Sequence, residues 1–244
     1  MVELANRTPG SNATAEVKRL HGLWDEAAQV DTSLQADGAP YGGHAATLPQ
    51  DPVVTTGRLL PQTLLLAELE ASGRQNDREQ AGVRMLYGLL ERVAMAAGIG
   101  QQERYREDRG DGVIELIDPT FPVDSLLGAL LTVLPKNLNA INHRLPHANW
   151  IRMRLVLATG NVFMDDHGAG GAALDEASRL LDSAVLREAL RERNRNYALC
   201  VSEPVYWATR HQNRDGVSAA EFHEITVSTK AGTRQAWLHQ PAHP

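Results

Sequence analysis

From Leu59 onward the spacing of apolar residues switches repeatedly between strand-length runs and a repeat of three to four. The order of those switches leaves few folds open. Thr63 to Leu69 (TLLLAEL) is an apolar run of strand length. Asn76 to Ala97 is helical, with Val83, Leu86, Tyr87, Leu90, Val93, Ala94 and Ala97 on one face. Asn76 and Glu79 have capping-box spacing at its start, and Gly98 stops it. Gln102–Arg106 and Val113–Ile117 read as two strands, joined across Asp108-Arg109-Gly110-Asp111-Gly112, a hairpin signal. A second helix follows over Val123–Asn142, which Pro135 is expected to kink or split.

The alternation continues. Trp150–Val162 is a long strand. Two helical pieces follow, Ala172–Asp182 and Ala184–Arg193. Then come a strand (Tyr197–Val201), a helix (Glu203–His211) and a closing strand pair (Phe222–Ser228 and Arg234–His239). The order is β-α-β-β-α-β-α-β-α-β-β. This predicts an α+β fold with a ferredoxin-like βαββαβ core and extra C-terminal α/β elements. Such a sheet is mainly antiparallel with its helices on one face, so the other face must be polar, covered or dimerised.

Residues 1–58 differ in kind. TPGSNAT, ADGAPYGGHAAT and LPQDP are rich in turn and linker residues, and only Glu16–Val30 has helical spacing. They read as a mostly disordered tail with one short helix, ahead of a domain over 59–240. The N-terminus lacks an apolar signal-peptide core. The longest apolar stretch, Leu126–Leu134, is too short to span a bilayer. A cytoplasmic location is the expectation. A formal net charge of −6 argues against non-specific binding to nucleic acid or to an anionic membrane. Cys200 is the only cysteine, which excludes an internal disulfide and a cysteine-based zinc site.

In a βαββαβ sheet the end of the first strand lies beside the hairpin of the second and third. Here that places Glu68 and Glu70 near Asp108 and Asp111. Packing alone would avoid gathering carboxylates at one edge, because like charges repel. A site that gathers two divalent cations needs them there. Each residue also has a plainer reading. Gly110-Asp111-Gly112 makes a tight turn anywhere. Glu68 and Glu70 could mark a solvated strand end. Arg179 could pair with Glu176 or Asp182 on its own helix. Arg152 and Arg154 share a strand face, where they would line a phosphate-accepting groove or pair with acidic residues. Asp165-Asp166-His167-Gly168 reads as the turn after the long strand.

Several segments, in order, resemble the class III nucleotidyl cyclase homology domain. LLLAELEASG is similar to its first strand, an apolar run followed by Asp-Ile-x-Gly. RGDGVIEL is similar to its Gly-Asp-Gly hairpin, and IRMRLVLATGNV to its central Arg-(Ile/Leu)-Gly-(Ile/Leu)-His-x-Gly strand. GGAALDEASRLLD resembles its Gly-x-x-Val-Asn-x-Ala-x-Arg-Leu helix. VSEPVY and ITVSTKAGTRQAWL resemble the segments that close the domain. The Arg-Gly-Asp-Gly hairpin and Arg-Leu-Leu-Asp helix are most similar to a divergent actinobacterial type.

The resemblance implies a homodimer, each active site taking carboxylates from one subunit and the arginine-bearing helix from the other. It implies two Mg²⁺ or Mn²⁺ ions and conversion of a nucleoside triphosphate to a 3′,5′-cyclic nucleotide and pyrophosphate. Glu68 and Asp111 fall on the metal-binding positions, with Glu68 replacing an Asp. Arg179 falls on the arginine that steadies the α-phosphate, and Asp175 on the asparagine that positions the ribose. Lys230 and Arg109 are the candidate substrate-binding residues. Glu107 falls near a base-reading lysine and Gly168 near its base-reading partner. The alternative is a catalytically degenerate cyclase-fold module that binds a nucleotide or a partner protein in bacterial signalling or defence. The N-terminal tail would then be a candidate contact for that partner.

Overall fold

The computed structural model describes residues 59–70, 76–165, 168–192, 195–210, 218–229 and 232–240. The tail, with its expected helix at Glu16–Val30, lies outside the described residues, as does Lys230. Eight strands, β1 (Leu60–Leu69), β2 (Arg104–Asp108), β3 (Gly112–Ile117), β4 (Met153–Asp165), β5 (Gly168–Gly170), β6 (Tyr197–Ser202), β7 (Phe222–Thr229) and β8 (Gly232–His239), form one sheet. Its order is β2-β3-β1-β4-β6-β8-β7, with β5 folded back on the end of β4. All pairings are antiparallel except β4 with β6. The βαββαβ core is therefore the half-sheet β2-β3-β1-β4, and the C-terminal elements extend it past β4.

Five helices cover the sheet: α1 (Asn76–Ala96), α2 (Val123–Asn142), α3 (Ala172–Leu181), α4 (Ala184–Glu192) and α5 (Glu203–Thr209). Strand residues alternate between two cores, as a period of two requires. Leu65, Ala67, Leu155 and Leu157 pack with Leu86, Leu90, Leu127 and Leu130 of α1 and α2, and with Val205 of α5. Leu64, Leu66, Val156 and Ala158 pack with Leu174, Ala177, Leu186 and Leu190 of α3 and α4. The expectation of helices on one face thus holds for α1 and α2 but not for the sheet, whose second face is covered by the chain's own α3 and α4. The physical reason lies in β1 and β4. Their central residues are apolar on both sides, and each large side chain withdrawn from water contributes about 1.5–3 kcal/mol.

Pro135 sits within α2 without dividing it, since the helix runs unbroken from Val123 to Asn142. Strand β2 begins two residues later than its sequence pattern suggests. An ion-pair cluster fixes its register. Glu115 of β3 is fully buried and is held by Arg104, whose Nη1 lies at 3.1 Å, and by Arg106, whose Nε lies at 2.7 Å. Arg104 also pairs with Glu91 of α1. A buried carboxylate is tolerable only when so paired. Trp237 is buried and stacks on Tyr206 at 4.5 Å between ring centroids, which makes it a packing residue.

Candidate functional site

The site begins with a register. Glu68, next to last in β1, lies opposite Gly112 on one side and Arg154 on the other. Leu69 N–H donates to the Asp111 carbonyl at 2.9 Å, which ties the hairpin to the strand end. Gly112 is what lets the two strands close at this point. A Cβ there would lie 2.7 Å from the Ala67 carbonyl oxygen, too near for any side chain. The hairpin is shaped from within by Asp108, whose two oxygens accept from Gly110 N–H at 2.7 Å and from Tyr87 hydroxyl at 2.6 Å. Those bonds, Tyr87's first, hold the Asp108 carboxyl below its ordinary range. Burial and then the neighbouring carboxylate push the Tyr87 phenol up to about 12.

The opposite wall comes from β5 and α3. Glu68, Arg109 and Asp111 face Ala169, Gly170, Asp175, Ser178 and Asp182 across a cleft of about 370 Å³. Four of the expected site residues, Glu68, Asp111, Arg109 and Asp175, therefore line one cavity. Arg179 does not line it. It lies on the exposed side of α3 and makes no ion pair among the described residues. The two acids it could have paired with are taken: Glu176 meets Arg234 at 3.4 Å, and Asp182 meets Arg187 at 3.1 Å.

Charge is unevenly spread in the cleft, with four carboxylates and one arginine on its walls. Partial burial is the main reason the Glu68 carboxyl titrates above its ordinary value. Asp111 and Asp182 push it the same way, while Arg154 and Arg187 oppose them. Arg154 is the strongest of those opposing charges. Its Nη2 lies 2.7 Å from Glu68 Oε1, and its Nη1 donates to the Leu181 carbonyl at 3.2 Å, where α3 ends. The neighbouring pair repeats the pattern one step along, Arg152 to Glu70 at 2.7 Å. Both arginines thus pair with acids, one of the two roles their alternation allowed.

No protein-family model matches this sequence, and no curated protein is similar to it. Solved structures are similar to it in shape. An adenylate/guanylate cyclase/hydrolase from Silicibacter pomeroyi superposes with a TM-score of 0.55 at 18% identity, over 76% of this chain and 99% of that one. The guanylyl cyclase Cya2 gives 0.51 at 15% identity, over 77% and 96%. A bacterial light-regulated adenylyl cyclase gives 0.54 at 14% identity, over 79% of this chain and 56% of that one. The chain has the class III nucleotidyl cyclase fold. The likeness is to cyclase catalytic domains in general and lends the actinobacterial type no support.

On the cyclase fold, the two positions expected to read a base meet each other. Glu107 Oε2 accepts from Ala169 N–H at 3.1 Å, and Gly168 packs so close that a Cβ there would lie 2.9 Å from the same oxygen. Glu107 also holds Arg109 at 2.8 Å. Sequence reasoning marked Glu107 as a substitution, but not as a bond from β2 to β5. The glycine beside the turn was the one available signal. The cyclase fold typically uses two metal ions. A pair of divalent ions would need several carboxylate oxygens free to coordinate. Glu68 Oε1 is committed to Arg154, which leaves Glu68 Oε2 and Asp111 as the donors at the two expected metal positions. Among the described residues no three His, Cys, Asp or Glu side chains converge as metal ligands. The donor set does not fit a pair of ions.

Proposed function

We propose that this chain is a cyclase-fold module that binds a nucleotide without converting it to a cyclic product. The observation that carries this reading is the Glu107 carboxylate bonded to Ala169 N–H, which ties together the two positions where the resemblance puts the base-reading pair. The substitutions at Glu68 and Asp175 support it further. A carboxylate for an asparagine adds negative charge beside a polyphosphate, and the cleft already holds three other acids. The test is incubation of the purified chain with each of the four common NTPs and Mg²⁺ or Mn²⁺. The readouts are pyrophosphate, cyclic product and, by calorimetry, binding. Binding with no product above that of Asp111→Ala is the expected result. Product formation lost in Asp111→Ala would overturn it.

A second reading is an active cyclase working as a homodimer, and two observations favour it. Glu68 and Asp111 share one cleft, and Arg179 is exposed and makes no ion pair among the described residues, as a residue serving a second subunit would. In that reading Arg179 steadies the α-phosphate, Asp175 orients the ribose, and Lys230 and Arg109 hold the triphosphate.

A further inference from the structure

Arg154 is 7% exposed, and its guanidinium is turned onto Glu68, a residue that lines the acidic cleft. Three features fix it there. It stands directly across the β1–β4 ladder from Glu68, so backbone pairing sets the approach of the two side chains. Its Nη2 holds Glu68 Oε1 at 2.7 Å. Its Nη1 is anchored on the Leu181 carbonyl at 3.2 Å. A guanidinium held at two points keeps its charge at every accessible pH and cannot swing away without leaving a buried donor unmet. A divalent ion on Glu68 Oε1 would sit against this fixed positive charge. Glu68 is also one C–C bond longer, about 1.5 Å, than the aspartate expected at its place, and that length carries its carboxylate toward Arg154.

We propose that the Arg154 guanidinium is the resident cation at the Glu68 end of the cleft, so that the chain binds at most one divalent ion where its fold leads one to expect two. Arg154 acts here as a positioning residue, through Glu68. The claim rests on cleft geometry and is separable from the non-catalytic reading. A chain that turns over NTP with one ion would sink that reading alone. An inert chain with two ions would sink this one alone.

The experiment is a titration of the full chain with Mn²⁺, following free Mn²⁺ by electron paramagnetic resonance, with no nucleotide present. Wild-type protein is expected to take up one ion or none per chain. Arg154→Met removes the charge while keeping the apolar stem, and should add a site or tighten binding about tenfold. Glu68→Asp keeps the charge on the strand but withdraws it from Arg154, and should act in the same direction. It leaves the buried arginine in place, so it serves if Arg154→Met fails to fold. Two ions bound by wild type overturn the proposal. So does a Glu68→Asp variant that binds Mn²⁺ no better than wild type, or a folded Arg154→Met variant that does the same.

Discussion

Glu68 sits partly buried between Arg154 on one side and Asp111 and Asp182 on the other, and its carboxyl titrates above the ordinary 4.5. The folded state therefore holds that proton more tightly than the unfolded chain does. The stability this contributes is fully present below the ordinary value and is lost as pH rises through the raised one. Urea unfolding of wild type and Glu68→Gln across that window should show the wild-type advantage shrinking with rising pH. A constant or growing difference would contradict it. Asp108 has the opposite sign. Its carboxyl titrates below the ordinary 3.8, so its contribution is present above that value and fades as pH falls. Tyr87→Phe removes the largest cause. It should cost no more than about 1 kcal/mol, since the bond is exposed, and should move the Asp108 midpoint upward in an NMR titration. Glu107→Ala frees the Ala169 N–H and removes a negative charge from the cleft rim. Calorimetry should find nucleoside triphosphate bound about tenfold more tightly, and unchanged affinity would mean that this bond does not close the base position.

At the scale of elements, the decisive contact is between β1 and β3 at Gly112. Gly112→Ala drives a methyl group into the Ala67 carbonyl and should cost about 1–3 kcal/mol in chemical unfolding, as overpacking does. From Leu59 onward every strand and helix named from periodicity has its counterpart, because long apolar repeats report burial directly. That Glu68 and Asp111 would meet at one cleft was also legible, since topology alone brings strand end and hairpin together. What the pattern could not carry was the reach of individual polar side chains. The start of β2 slipped by two residues because its apolar signal is thin and its place is set by Arg104 and Arg106 closing on Glu115. The covering of the second face by α3 and α4 was one of three outcomes left open. Deciding among them required knowing where those helices pack, which periodicity does not encode. Nor does any sequence rule place a glutamate at position 107 on a backbone amide 62 residues away.

For the whole molecule, the sheet has an apolar core on each face, and no helix among the described residues is long and apolar enough to cross a membrane. Arg179, exposed on α3 and without an ion pair among the described residues, leaves self-association to be decided by experiment. If a second copy receives this arginine in its acidic cleft, light scattering should give twice the chain mass of 26.7 kDa. Arg179→Glu should shift the mass toward that of the single chain, and an unaltered dimer would place the contact elsewhere. The two cores also fill at different moments. Synthesis delivers α1 and α2 before β4 emerges, but α3 and α4 come after it. A chain that has emerged only as far as Asp165 would show water a bare oily wall of Leu64, Leu66, Ile114, Leu116, Val156 and Ala158. Exposed apolar surface of that kind is what makes an incomplete chain prone to aggregate, until α3 and α4 follow and cover it.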